Sequence, residues 1–362
     1  MIQSFEKDIF SKSKIYWNTD INRKDLKKIN IIVKNNICSS NFFVKQNNGM
    51  ELNSNNFKLI FKSKKFILKR WSKKMKVSEI KDVLNLISWL NKKKIETPIL
   101  QKFTNNEKII KYKNEFWSYF IYVDGNHFNG EIKEMKNLVR FIGNFTNKLK
   151  KYPKKNIKKK YKYFTKEDEN ILKFMKKNLF RLDKFFSKKH SKQIENYLPE
   201  IINLFEKLKK FNLKNTEKKV IHMDIHPHNI LTKNRNVKAL LDIDSCVIGE
   251  IEYALSYAAL KICKQATIFN KKNLKQIKIN HLFFKELRKT YKLNNSKESN
   301  FYYYAISEVI RRLIEMFKLT IKKKNKKWNH VIPIQLGHLE ECKILFLDPK
   351  KNLILKNIAN KS

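Results

Sequence analysis

Residues 220–244 read VIHMDIHPHNILTKNRNVKALLDID, and the fold turns on how they are read. His222, Asp224 and Asn229 stand in the pattern H-x-D-x-x-x-x-N, and Asp242 follows Asn229 by thirteen residues. Pro227 interrupts any helix through the motif, so Met223 to His228 is expected as a loop. It lies between the apolar pair Val220-Ile221 and the short run Asn229-Ile230-Leu231. Lys233 to Asn236 supply a polar turn, and Val237 to Ile243, VKALLDI, is an apolar run of strand length. A hairpin of this kind brings Asn229 and Asp242 side by side, facing the loop that carries Asp224.

Four polar residues at these offsets suit phosphoryl transfer from a nucleotide. That reaction needs a carboxylate to align or deprotonate the acceptor hydroxyl, and side-chain oxygens to hold the magnesium that neutralises the phosphates. Asp224 suits the first task, Asn229 and Asp242 the second. Two other readings compete. Histidines and aspartates in loops commonly cap turns, but capping does not require four residues at fixed offsets. His222, His226 and His228 have a spacing that can ligate zinc, which leaves Asn229 and Asp242 without a task.

The stretch resembles the catalytic core of the aminoglycoside phosphotransferase and choline kinase family. Its members carry a His-x-Asp loop, an Asn five residues after that Asp, and a metal-binding Asp on the following strand. His226-Pro227-His228-Asn229 also resembles the H-P-x-N form of that loop. The resemblance implies an α+β, bilobal protein-kinase-like fold, with a small β-rich N-lobe and a larger, mostly helical C-lobe. It implies ATP and Mg2+ as cofactors and a hydroxyl of a small molecule as acceptor, with His222 buttressing the catalytic loop. There are departures. The family's Asp-Leu-Ala turn is matched by Tyr253-Ala254-Leu255-Ser256, without the Asp. A-P-E and Gly-rich signatures are missing, which argues against a protein kinase proper.

From Asn41 to Trp71 the runs NFFVK, FKLIF and FILKRW are strand-like, the last two forming a hairpin around KSKK. The polar segment QNNGMELNSNN lies where a kinase N-lobe covers the phosphates, yet Gly49 is its one glycine. Asn53 to Asn56, Asn55 and Asn56 above all, are the candidates to turn backbone N–H groups toward phosphate, because Asn tolerates left-handed turns. Lys69 ends the strand FILK and is the candidate phosphate-binding lysine. A helix follows, with apolar residues at Ile80, Val83, Leu84, Ile87 and Leu90. Glu79 in its first turn, or Asp82 one turn later, is a candidate ion-pair partner for Lys69; Glu79 is also a favourable charge at a helix start.

Phe116 to Val123, followed by Asp124-Gly125, resembles the family's hinge, where the backbone of Tyr122 and Val123 meets the adenine. The expected division is a nucleotide-binding lobe over 1–124 and a helical lobe with the catalytic and metal-binding loop over 125–362. Helical sequence runs from Glu131 to about Leu213, breaking near Tyr152-Pro153 and again near Pro199, and returns over Glu252 to Lys264 and Phe301 to Lys323. On the last helix, Tyr302-Tyr303-Tyr304 and Arg311-Arg312 are candidates for substrate contact, the tyrosines being expected mainly in the core.

The chain holds 80 Lys+Arg against 33 Asp+Glu, a net charge of +47, which by itself suggests a polyanionic partner. Lysine far outnumbers arginine, however, and base-edge and bidentate phosphate recognition favour arginine. The lysines are spread through every segment, and Asn, Ile and Phe are abundant while Gly and Pro number 6 each. Such a composition fits AT-rich codon use, so no specific nucleic-acid partner is expected. Cys38, Cys246, Cys263 and Cys342 are far apart and suggest neither disulfide nor zinc cluster. The N-terminus has no apolar h-region, and Cys246 to Cys263 is too polar to span a membrane, so a cytoplasmic protein without membrane contact is expected. The expected acceptor is a sugar, sugar amine or amino alcohol. An aminoglycoside antibiotic is the alternative, as is a kinase-like binding protein without turnover.

Overall fold

The computed structural model describes residues 17–18, 21–47, 56–157, 160–161, 163–210, 218–270, 276–293, 300–326 and 328–346. Asn55 and the rest of the candidate phosphate-covering segment, apart from Gln46, Asn47 and Asn56, lie outside them.

Six strands form the N-terminal sheet: β1 (Trp17–Asn18), β2 (Phe43–Asn47), β3 (Asn56–Phe61), β4 (Lys64–Arg70), β5 (Ile110–Tyr112) and β6 (Glu115–Ile121). Their order is β1-β2-β3-β4-β6-β5, and every pair is antiparallel. The expected hairpin joins β3 to β4 through Lys62-Ser63, both at positive φ (46° and 60°). Two-residue loops need that backbone to match the twist of the strands, and in a glycine-poor chain ordinary residues adopt it.

Alternation along the strands divides the interior into two cores. Phe57, Leu59, Leu68, Trp117 and Tyr119 face helix α1 (Arg23–Asn36), which contributes Ile29, Ile32 and Val33. Phe120 faces the other way, into a larger core that also takes Trp71 and the apolar face of α2 (Val77–Lys92), including Ile80, Val83, Leu84, Ile87 and Leu90.

The rest is mainly helical: α3 (Ile132–Leu149), α4 (Lys166–Lys177), α5 (Lys188–Lys210), α6 (Ile251–Phe269), α7 (Gln276–Arg288), α8 (Phe301–Ile321) and α9 (Ile332–Phe346). Helix α3 ends before Tyr152-Pro153, as expected. Helix α5, however, runs unbroken through Pro199. An interior proline costs a helix about 3 kcal/mol, but buried Ile194, Leu198, Ile201, Phe205 and Leu208 hold one stripe across it, and their burial exceeds that cost. Tyr304 is buried, and Tyr302 and Tyr303 pack against the larger core, in keeping with their expected place.

Two small sheets carry the motif between these layers. Strand β8 (Lys218–His222) pairs with β11 (Cys246–Glu250), while β9 (Ile230–Lys233) lies between β7 (Asn126–His127) and β10 (Asn236–Leu240). All four cysteines are unbridged. Among the described residues no helix is long and apolar enough to cross a membrane.

Candidate active site

The β9–β10 register sets Ile230 opposite Leu240, and Leu241 N–H donates to the carbonyl of Asn229 at 2.7 Å. Asn229 and Asp242 therefore leave the hairpin side by side. The strand is shorter than its apolar run: it stops at Leu240, and Asp242 takes a left-handed backbone (φ 52°, ψ 44°) before the turn Ile243–Ser245. This sharp corner turns the chain, and with it Asp242, out of the strand.

His222 is buried at the end of β8. Its Nδ1 accepts from Asp224 N–H at 3.2 Å, so Nε2 carries the proton and donates to the Leu241 carbonyl at 3.1 Å. Burial holds its pKa below the usual histidine value, so the ring is neutral and ties the loop to the hairpin. Asn229 locks the loop from the other side, its amide nitrogen donating to the carbonyl (2.9 Å) and carboxylate (3.2 Å) of Asp224. That orientation leaves the amide oxygen of Asn229 for another partner.

Asp224 is the most heavily contacted carboxylate of the motif. Arg312 Nη2 donates to Oδ1 at 2.9 Å, and His226 Nε2 stands 3.4 Å from Oδ2. Burial works to raise its pKa, but His226 and Arg312 outweigh it and hold the group well below the usual carboxylate range. Arg312 is itself anchored: Nε donates to buried Glu308 at 2.7 Å, and the guanidinium lies 4.4 Å from the Tyr257 ring centroid. Glu308 also accepts from Arg311 Nε and Nη2 (2.8 and 2.7 Å) and from the hydroxyls of Tyr161 and Tyr253 (3.0 and 3.2 Å). Burial opposes its ionisation, yet the two arginines hold its pKa down at about 2.

Lys69 reaches this cluster from β4, pairing with Asp244 at 2.8 Å and Asp242 at 3.9 Å. The carboxyl of Asp242 is pushed up by the protein packed around it, against the pull of Lys69, and by repulsion from Asp244 and Asp224. Half of its side chain is exposed, within a crowd of three carboxylates. Such a set is short of positive charge. Its donors, carboxylates and an amide oxygen, are hard oxygen ligands of the kind Mg2+ takes together with nucleotide phosphates. Among the described residues no three His, Cys, Asp or Glu side chains are arranged to hold a metal on their own. The zinc reading falls with that, since both Nδ1 atoms of His222 and His226 accept backbone N–H groups.

The pairing expected for Lys69 on α2 is corrected. Glu79 turns back to accept from Lys76 N–H at 2.8 Å, capping its own helix, and Asp82 has a buried Oδ2 without a hydrogen-bond partner. Asp244 takes the place of both, because the turn after Asp242 brings it within reach of β4. Asn56 lies opposite Lys69 in the β3–β4 register. In the hinge, Tyr122 N–H is spent on the Lys65 carbonyl at 3.0 Å, and Lys58 Nζ sits 3.9 Å from its ring centroid. Among the described residues Val123 N–H makes no hydrogen bond.

Residues 45–274 match the family model described as the phosphotransferase enzyme family. The chain belongs to that family. Solved structures agree on the fold across most of its length. A spectinomycin phosphotransferase in complex with ADP and spectinomycin is 13% identical, with a TM-score of 0.63, covering 89% of this chain and 94% of that one. An aminopropanol kinase is 12% identical with a TM-score of 0.60, covering 88% and 95%. An amicoumacin kinase in complex with AMP-PNP and Ca2+ is 12% identical with a TM-score of 0.58, covering 88% and 96%. No curated protein matches the sequence. The phosphotransferase thus has the bilobal α+β, protein-kinase-like fold of small-molecule kinases.

Sequence reasoning missed two contacts of this phosphotransferase. Asp244 was legible in principle as the second acid of Leu241-Asp242-Ile243-Asp244. Arg312 was singled out with Arg311 only as a candidate for substrate contact; its pairing with Asp224, 88 residues away, has no local signal.

Proposed function

We propose that this phosphotransferase moves the γ-phosphate of ATP, bound with Mg2+, to a hydroxyl of a sugar, sugar amine or amino alcohol. The observation that carries the reading is the junction of Lys69 with Asp242 and Asp244, beside Asn229 locked on Asp224. Bound MgATP supplies the phosphoryl group and the charge neutralisation that lets it leave. Asn229 and Asp242 would hold the metal through oxygen, Lys69 would neutralise the phosphates, and Val123 N–H would meet the adenine. Asn56, opposite Lys69 in the sheet, would turn toward the phosphates; Asn55, proposed with it, lies outside the described residues. Residues 1–124 are the nucleotide lobe and 125–362 the catalytic lobe, with no specific nucleic-acid partner.

Asp224 orients the acceptor hydroxyl. A carboxylate whose pKa is held this low is a weak base, so it aligns the O–H in the ground state and takes the proton only late, as the new P–O bond forms. His222 keeps the loop in place. The test is Asp224→Asn, which keeps shape and removes charge. MgATP affinity should stay near wild type while turnover, measured as ATP consumption across a panel of hydroxyl metabolites, falls by about two to four orders of magnitude. A variant that melts earlier but turns over normally per folded molecule would make Asp224 a structural residue.

A further inference from the structure

Resting on the kinase reading, we infer that Arg311 and Arg312 give the acceptor side an anion-reading face, so that the hydroxyl compound it takes carries a carboxylate or phosphate group. Asp224 is the acid a cationic acceptor would seek, and it is already held by Arg312, His226 and Asn229. Glu308 is consumed as well, fully buried beneath both guanidinium groups. The two guanidinium groups beside them keep donors to spare. Arg311 and Arg312 spend Nε and Nη2 on these carboxylates, and among the described residues neither Nη1 has a hydrogen-bond partner. Their side chains are 32% and 28% exposed, so neither arginine is sealed into the core. Both forks are fixed before any ligand arrives, held by Glu308 and by ring contacts to Tyr161 and Tyr257. Pre-set guanidinium donors favour planar or tetrahedral oxyanions, and their fixed positive charge disfavours an ammonium group, which narrows the proposed acceptors from sugar amines and amino alcohols to acidic sugars, sugar acids or sugar phosphates.

The test is binding to the full chain loaded with MgAMP-PNP, by calorimetry at physiological salt. Three probes are compared: D-glycerate, a hydroxyl compound with a carboxylate; glycerol, its neutral counterpart; and kanamycin, a polycation. Glycerate should bind at least about tenfold more tightly than glycerol, and kanamycin should not bind. Arg311→Gln should remove most of that advantage and Arg311→Lys should keep part of it. Arg311 is the position to change because Arg312 also holds Asp224. Kanamycin binding, glycerate no better than glycerol, or an advantage untouched by Arg311→Gln each overturns the inference. The first titration of each series, MgAMP-PNP into protein, separates the two levels: without nucleotide binding it is the kinase reading that fails.

Discussion

At Asp242, side-chain chemistry and backbone conformation make separate demands. The left-handed backbone favours Asp, Asn or Gly, and an alanine there costs about 1 kcal/mol or more. The charge matters for a different reason, since a carboxylate crowded by Asp244 and Asp224 is useful only if a cation arrives. Asp242→Asn therefore isolates the charge. It should melt at or slightly above the wild-type temperature, because it relieves repulsion, and should lose the magnesium-dependent part of ATP binding. Calorimetric titration of ATP with and without Mg2+ measures this, and an undiminished magnesium dependence would take Asp242 out of the metal site. Asp242→Ala would confound the two effects.

Among the elements, the passage from hinge to helical layer is held most tightly at Gly130. Its φ is +109°, and a Cβ there would stand 2.5 Å from the Gln265 carbonyl oxygen and from the Phe269 side chain on α6. Gln265 Nε2 donates to the Asn129 carbonyl at 3.0 Å and Asn270 Nδ2 to that of Gly130 at 2.9 Å, binding the entry of α3 to the end of α6. Gly130→Ala should cost about 2–4 kcal/mol, from backbone strain and overpacking together. Urea midpoints would show it, with activity per folded molecule retained because no motif residue moves; a midpoint within error of wild type would mean that the contact relaxes cheaply. Helix α5 shows the converse, a local penalty at Pro199 overridden by the apolar stripe on either side of it.

For the molecule as a whole, a buried histidine adds to the response to acid. His338 is fully buried between Lys261 (3.1 Å) and Glu341 (2.6 Å). Burial first, and then Lys261 and Lys264, lower its pKa to about 3, against the pull of Glu341. The unfolded chain, with an ordinary histidine near 6.5, binds more protons between those values. Stability from this group is therefore fully present above about pH 6.5 and is lost as pH falls toward 3, by as much as roughly 4 kcal/mol. Urea midpoints taken from pH 7.5 down to pH 4 should fall more steeply for wild type than for His338→Gln. Parallel slopes would show that His338 does not titrate in unfolding.

The sequence by itself determined what depends on chain neighbours. The spacing of His222, Asp224, Asn229 and Asp242, the hairpin that brings two of them together, the strand–turn–strand around Lys62-Ser63 and the apolar face of α2 all follow from turn chemistry and side-chain period. Those are properties of a few consecutive residues. Tertiary structure decided which charges meet. Lys69 chose Asp244 across 175 residues over Glu79 at ten, and Asp224 found Arg312 on a helix beyond the motif. The physical reason is that an ion pair depends on distance in space, which packing sets: the two cores fix how β4, the motif hairpin and α8 stand, and the long side chains pair with whatever carboxylate that packing brings within reach.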